Sequence, residues 1–118
     1  MYLKTLIAIT ALSISSTVFA VDDATITSIA NGHAYQKHVI EKKEYPEITS
    51  KAQFFSLIKA IVSNPTASKP LPRSRTAYWG DSTKTIVIID PSHIDKGTAF
   101  RTTKAYYDAQ TDIDNTTN

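Results

Sequence analysis

Arg75-Thr76-Ala77-Tyr78-Trp79-Gly80-Asp81-Ser82-Thr83-Lys84-Thr85-Ile86-Val87-Ile88-Ile89 is the stretch that decides the fold. Thr76 to Trp79 and Thr85 to Ile89 are short runs rich in β-branched and aromatic residues, and Gly80-Asp81-Ser82-Thr83 between them is a turn sequence. That pattern predicts two antiparallel strands. The second run is too apolar to face water on both sides, so cover by other elements is expected.

Upstream, the period changes from strand to helix. Ser50 and Gln53 make a capping-box pattern, and Phe54, Leu57, Ile58, Ile61 and Val62 recur at helical spacing until Asn64-Pro65 stops the run. Residues 65–74, with Pro65, Pro70 and Pro72, read as a loop carrying Lys69 and Arg73 and leading to Arg75. Glu41 to Thr49 reads as a charged connection too polar to be core. Before it, residues 24–40 read as a first helix, with Ile26, Ile29, Ala30 and Ala34 near one face. Gly32 weakens that helix, and Asn31 is an alternative cap for a later start.

Downstream of Ile89, Asp90-Pro91 ends the strand and His93 to Gly97 is a second turn. Thr98 to Thr102 is a further strand, and Ala105 to Asp108 a fourth. The expected class is therefore α+β: two N-terminal helices followed by a small antiparallel sheet of about four strands.

The densest chemistry lies in Gly32-His33-Ala34-Tyr35-Gln36-Lys37-His38-Val39. Imidazole takes and returns protons near neutral pH, and two histidines beside a cation suffice for paired acid and base catalysis. On an α-helix His33 and Lys37 sit roughly 40° apart, whereas His33 and His38 are about 140° apart, so one histidine rather than both is expected to face a site.

The ends read differently from the body. Lys4, the apolar run around Leu6 to Ile14 and Thr17-Val18-Phe19-Ala20 read as a signal peptide, 1–20, cut after Ala20, giving a secreted or periplasmic protein. No span suited to stable membrane insertion is expected. Residues 21–108 form one domain, and 109–118 a flexible tail. The chain has no cysteine, which excludes disulfides, thiol nucleophiles and cysteine-ligated zinc. Residues 24–107 hold 12 Lys and Arg against 6 Asp and Glu, a net of +6, which suits a polyanionic ligand.

Four segments occur in one order: Gly32 to Val39, the phenylalanine-bearing helix ending at Asn64-Pro65, Arg75-Thr76-Ala77-Tyr78-Trp79, and Asp95-Lys96-Gly97-Thr98-Ala99-Phe100-Arg101. Together they resemble the C-terminal ribonuclease domains of bacterial polymorphic and contact-dependent inhibition toxins, within the barnase, EndoU, colicin-tRNase and RelE-like group. The resemblance covers residues 31–108. It implies metal-independent RNA cleavage, with tRNA among the candidate targets, by 2′-hydroxyl transesterification to a 2′,3′-cyclic phosphate. It also implies no cofactor, an acidic immunity protein as partner, and a monomer.

By that resemblance His33, His38, Lys37, Arg75 and Thr98 are the catalytic candidates, and Tyr78 and Arg101 the substrate-binding ones. Strand alternation places Thr98 and Arg101 on opposite faces, which favours Thr98. The toxin pattern carries glycine where this chain has Ser74 and Lys96, and lysine does not readily take a positive φ, so a different turn is expected before Thr98.

Plainer readings stand beside these. Trp79 and the helical aromatics suit a core, and His93 a solvated turn. Asp90, His93 and Asp95 make only a weak metal set, so no metal is expected. A non-catalytic exported module binding an anionic ligand is the alternative function, and a periplasmic structural protein a third.

Overall fold

The apolar stripe following Ser50 must be buried against something, and a four-stranded sheet supplies the surface. The computed structural model describes residues 20–111; the expected signal segment, but for Ala20, and residues 112–118 of the expected tail lie outside them.

Helix α1 (Asp23–Asn31) starts where the Asp22 carboxylate accepts the Thr25 N–H at 2.9 Å. The single helix expected over 24–40 is corrected. Gly32 is extended (φ −89°, ψ −159°), and the chain rewinds as a π-helical segment, Tyr35–Glu41. Asn31 does not cap the new turn; the His33 N–H is taken at 3.1 Å by Asp95, 62 residues away. Tertiary structure supplies the cap that the local sequence was expected to provide.

In helix α2 (Lys51–Ser63) the Ser50 hydroxyl accepts the Gln53 N–H at 3.2 Å, and the Gln53 side chain accepts the Thr49 N–H at 2.6 Å. The reciprocal cap thus forms one residue upstream of the usual box. The connection before it is not all polar, contrary to expectation: Tyr45 and Ile48 are buried, and the Tyr45 hydroxyl meets Thr85 at 2.8 Å.

Strands β1 (Ala67–Leu71), β2 (Arg75–Gly80), β3 (Thr85–Ile89) and β4 (Gly97–Arg101) form one antiparallel meander in the order β1-β2-β3-β4. The class is α+β, with helices ahead of the sheet. Among the described residues there are four strands, yet the fourth is not the expected one. Ala105 to Asp108 lies in helix α3 (Lys104–Ala109), capped by Thr103 accepting the Tyr106 N–H at 3.1 Å. The extra strand is β1, inside the segment read as a loop. Pro70 sits opposite Thr76 on this edge strand, where a missing N–H costs no ladder bond on the open side.

Tyr78, Val87 and Ala99 face α1, α2 and the π-helical segment, joining a core built on Ile26, Ile29, Phe54, Ile58 and Ile61. Their neighbours Ala77, Trp79 and Ile86 face the other way, with Leu71 and Tyr107. β3 is therefore covered on both sides, as its composition requires. Each fully buried side chain of this kind contributes about 2 kcal/mol, which is how a chain without disulfides holds together. Among the described residues no helix is long and apolar enough to cross a membrane.

Among the described residues five that are not glycine have positive φ, Lys43, Arg73, Ser74, Lys84 and Lys96. Before Thr98 the lysine does take a positive φ, against expectation: Lys96 has φ 66°. It is held there because its carbonyl accepts the Asp90 N–H at 2.9 Å and its own N–H donates to His93 O at 3.0 Å. Lys96→Gly should relieve a left-handed cost of about 1 to 2 kcal/mol, offset in part by glycine's greater freedom when unfolded. The expected net is a gain of about 1 kcal/mol, read as a rise in Tm of about 5 °C in a thermal melt followed by circular dichroism.

Candidate active site

Alternation along the sheet puts Arg75 of β2, Ile88 of β3, and Thr98 and Phe100 of β4 on one face, away from α1 and α2. Beyond the region covered by Tyr107 this face opens into a cleft of about 580 Å³. The π-helical segment supplies one wall, α3 another through Tyr106, and the turn around His93 a third.

Both motif histidines line this cleft, so the expectation that only one would do so is corrected. The cause is the winding. The Lys42 N–H bonds to Lys37 O at 2.9 Å, five residues back, and this wider turn follows the break at Gly32. Residues five apart are then brought toward one side, which ordinary α-helical geometry forbids.

Each histidine is backed by a carboxylate. His33 Nδ1 lies 2.6 Å from Asp95, and the same oxygen accepts the His33 backbone N–H. His38 Nδ1 lies 2.8 Å from Glu44, whose other oxygen accepts the Arg101 backbone N–H at 3.0 Å. A carboxylate on Nδ1 fixes the ring and leaves Nε2 for chemistry. His33 is half exposed, while His38 is only 7% exposed and stacks on Phe100 with ring centroids 5.0 Å apart.

Gly32 acquires its reason here. A Cβ on it would stand 2.7 Å from the Asp95 carboxyl carbon, so the missing side chain is what admits the carboxylate to His33. The His33 ring and N–H bonds hold the Asp95 carboxyl below its ordinary range. With the native value depressed, this contribution to stability is complete above the unfolded carboxylate value of about 3.9 and is lost as pH falls through the lowered one.

The cations differ in how free they are. Lys37 and Lys42 line the cleft and, among the described residues, their ammonium groups have no hydrogen-bond or ion-pair partner. Arg75 donates through Nε to Pro72 O at 3.0 Å, leaving its other guanidinium nitrogens for a ligand. Arg101 also borders the cleft, but it lies over the Tyr45 ring and donates to Thr83 O, Glu44 O and Glu47. Its guanidinium ties the Glu44 segment to the sheet. Tyr78 is not brought to the cleft: it packs on the helix side, and burial raises its hydroxyl pKa.

Of the sequence candidates, then, the structure gathers His33, Lys37, His38, Arg75, Thr98 and Arg101 around one space and leaves Tyr78 on the opposite face. The orienting role of Asp95 was not assigned in advance. Glu44, six residues after His38, was open to the sequence with Glu41 as a plain partner for that ring, and it is Glu44 that the ring meets. Asp95 gave no local signal, because only the β3–β4 turn carries it to His33. His93 Nδ1 accepts the Asp95 N–H at 3.0 Å within the turn, while the Asp95 carboxylate is taken up by His33. Among the described residues no three carboxylates or imidazoles are grouped to hold a metal.

No family model matches the chain, and no curated protein matches it.

Proposed function

We propose that this chain is an exported, toxin-type endoribonuclease that cleaves RNA without a metal, with tRNA among its targets. The observation that carries the reading is the pair of carboxylate-backed histidines on one cleft with free cations. In the proposed step one imidazole Nε2 takes the ribose 2′-hydroxyl proton while the O2′–P bond forms. The P–O5′ bond breaks, and the other imidazole, protonated beforehand, gives its proton to O5′. The products are a 2′,3′-cyclic phosphate and a 5′-hydroxyl. Arg75 and Lys37 offset charge on the phosphoryl oxygens, and the Thr98 hydroxyl donates to one of them.

The sequence of residues 1–20 supports export, and the unpaired Lys37 and Lys42 suit an acidic immunity protein seated over the cleft. The test is to incubate the chain with total RNA in excess EDTA and analyse the ends formed. Cleavage with cyclic-phosphate ends is expected. Intact RNA in the presence of folded protein overturns the reading, and salt-dependent binding without cleavage replaces it with the anionic-ligand module.

A further inference from the structure

Tyr106 is one of three large hydrophobic side chains that are exposed among the described residues, and it is the one that lines the cleft. Its placement is built rather than incidental. Thr103 caps α3 by accepting the Tyr106 N–H. The next residue, Tyr107, is buried against Trp79, and Lys69 lies 4.7 Å over its ring. A helix pinned by Tyr107 presents Tyr106 about 100° further round, where its ring meets Phe100 edge-on at 5.6 Å. Phe100 in turn stacks on His38. One wall of the cleft is thus aromatic and reaches from the buried imidazole out to solvent, while Lys42 and Arg75 border the same space. The Tyr106 hydroxyl has no partner among the described residues, and the residue is 42% exposed.

We propose that Tyr106, backed by Phe100, is a stacking subsite for an unpaired nucleobase next to the scissile phosphate. The proposal rests on the cleft being an RNA site and adds what kind of RNA enters it. An aromatic face beside cations takes a base by its π-face and its phosphate by charge, with little regard to base identity. In a duplex those base faces are covered by their neighbours, so the subsite selects single-stranded segments, loops and ends. Base contact is thus assigned to Tyr106, in place of Tyr78, which the toxin resemblance offered as a substrate-binding residue.

The test uses the full chain and a 2′-deoxy tetranucleotide, which binds without being cleaved, with affinity followed by fluorescence anisotropy of an end label. Tyr106→Ala should weaken binding about tenfold, and Tyr106→Phe and Tyr106→Trp should keep it. An abasic version of the tetranucleotide should bind wild type weakly, a comparison that requires no variant, and its binding should be indifferent to Tyr106→Ala. A hairpin stem of the same sequence should compete poorly. Equal binding of the tetranucleotide by wild type and Tyr106→Ala overturns the subsite, as does equal binding of the abasic and intact oligomers. Because the probe cannot be cut, Tyr106-dependent binding by a chain that leaves RNA intact would uphold the subsite and sink the ribonuclease reading. Cleavage with Tyr106-independent binding would do the reverse.

Discussion

Replacing His33 by alanine is expected to lower RNA cleavage by roughly 10² to 10⁴, the range for losing a general acid or base. His33 is the informative histidine because its side chain is half exposed and its loss leaves the core intact. His38 is almost buried, and its ring stacks on Phe100. Replacing it would remove packing together with chemistry, so a loss there would mix two causes. A proper comparison is Lys59→Ala in α2, the helix packed on the sheet face away from the cleft, where among the described residues the only bond broken is a surface pair with Asp23 at 2.7 Å. Such a pair is worth little, and cleavage should stay at the wild-type rate. Initial rates on a labelled RNA at equal folded protein decide the matter, and His33→Ala cutting as fast as wild type would remove the imidazole from the mechanism. The Asp95 carboxylate enters the same experiment: Asp95→Asn keeps the shape but weakens the hold on the ring, so a smaller loss than His33→Ala is expected.

The fold was readable where a local pattern and its tertiary use agree. β3 and α2 follow directly from β-branched composition and from the spacing of Phe54, Ile58 and Ile61, which are buried. It was not readable where the two conflict. Pro70 conceals β1, because proline argues against a strand unless the strand is known to lie at an edge. Thr103 was a visible cap for α3, yet the run Ala105-Tyr106-Tyr107 reads equally well as strand. The site divides in the same way. Residue types and spacing pointed to His33, Lys37 and His38, and the toxin resemblance added Arg75 and Thr98, but the convergence of the two histidines depends on a π-helical turn that periodicity at 3.6 residues does not describe. The positions of Asp95 and Tyr106 depend on a turn and a helix that only the packed chain determines. Tyr78 had the right chemistry, and the parity of β2 turns it away.

Gly97→Ala is expected to have the largest effect on stability. Gly97 has φ +141°, a region that side chains rarely adopt, and a Cβ there would stand 2.0 Å from Ile88 O. Neither atom can yield cheaply, because both belong to the backbone of paired strands: Gly97 faces Ile89 and Thr98 faces Ile88 in the β3–β4 ladder. Relief requires β4 to move away from β3, which breaks pairing at the floor of the cleft and carries Thr98 with it. Strain of this kind costs about 1 to 3 kcal/mol before the lost pairing is counted, so a total near 4 kcal/mol is expected, against a whole stability of about 5 to 15. A fall in Tm of roughly 20 °C should follow, with a matching drop in the urea midpoint. The preceding residue responds in the opposite sense: glycine at 96 should stabilise, whereas a side chain at 97 should come close to unfolding the chain. Lys96 is held in its left-handed turn by two backbone hydrogen bonds and has room for its side chain, whereas Gly97 has none. A Gly97→Ala chain melting with wild type would mean that β4 does not approach Ile88 this closely. The placement of Thr98 in the cleft would then fall with it.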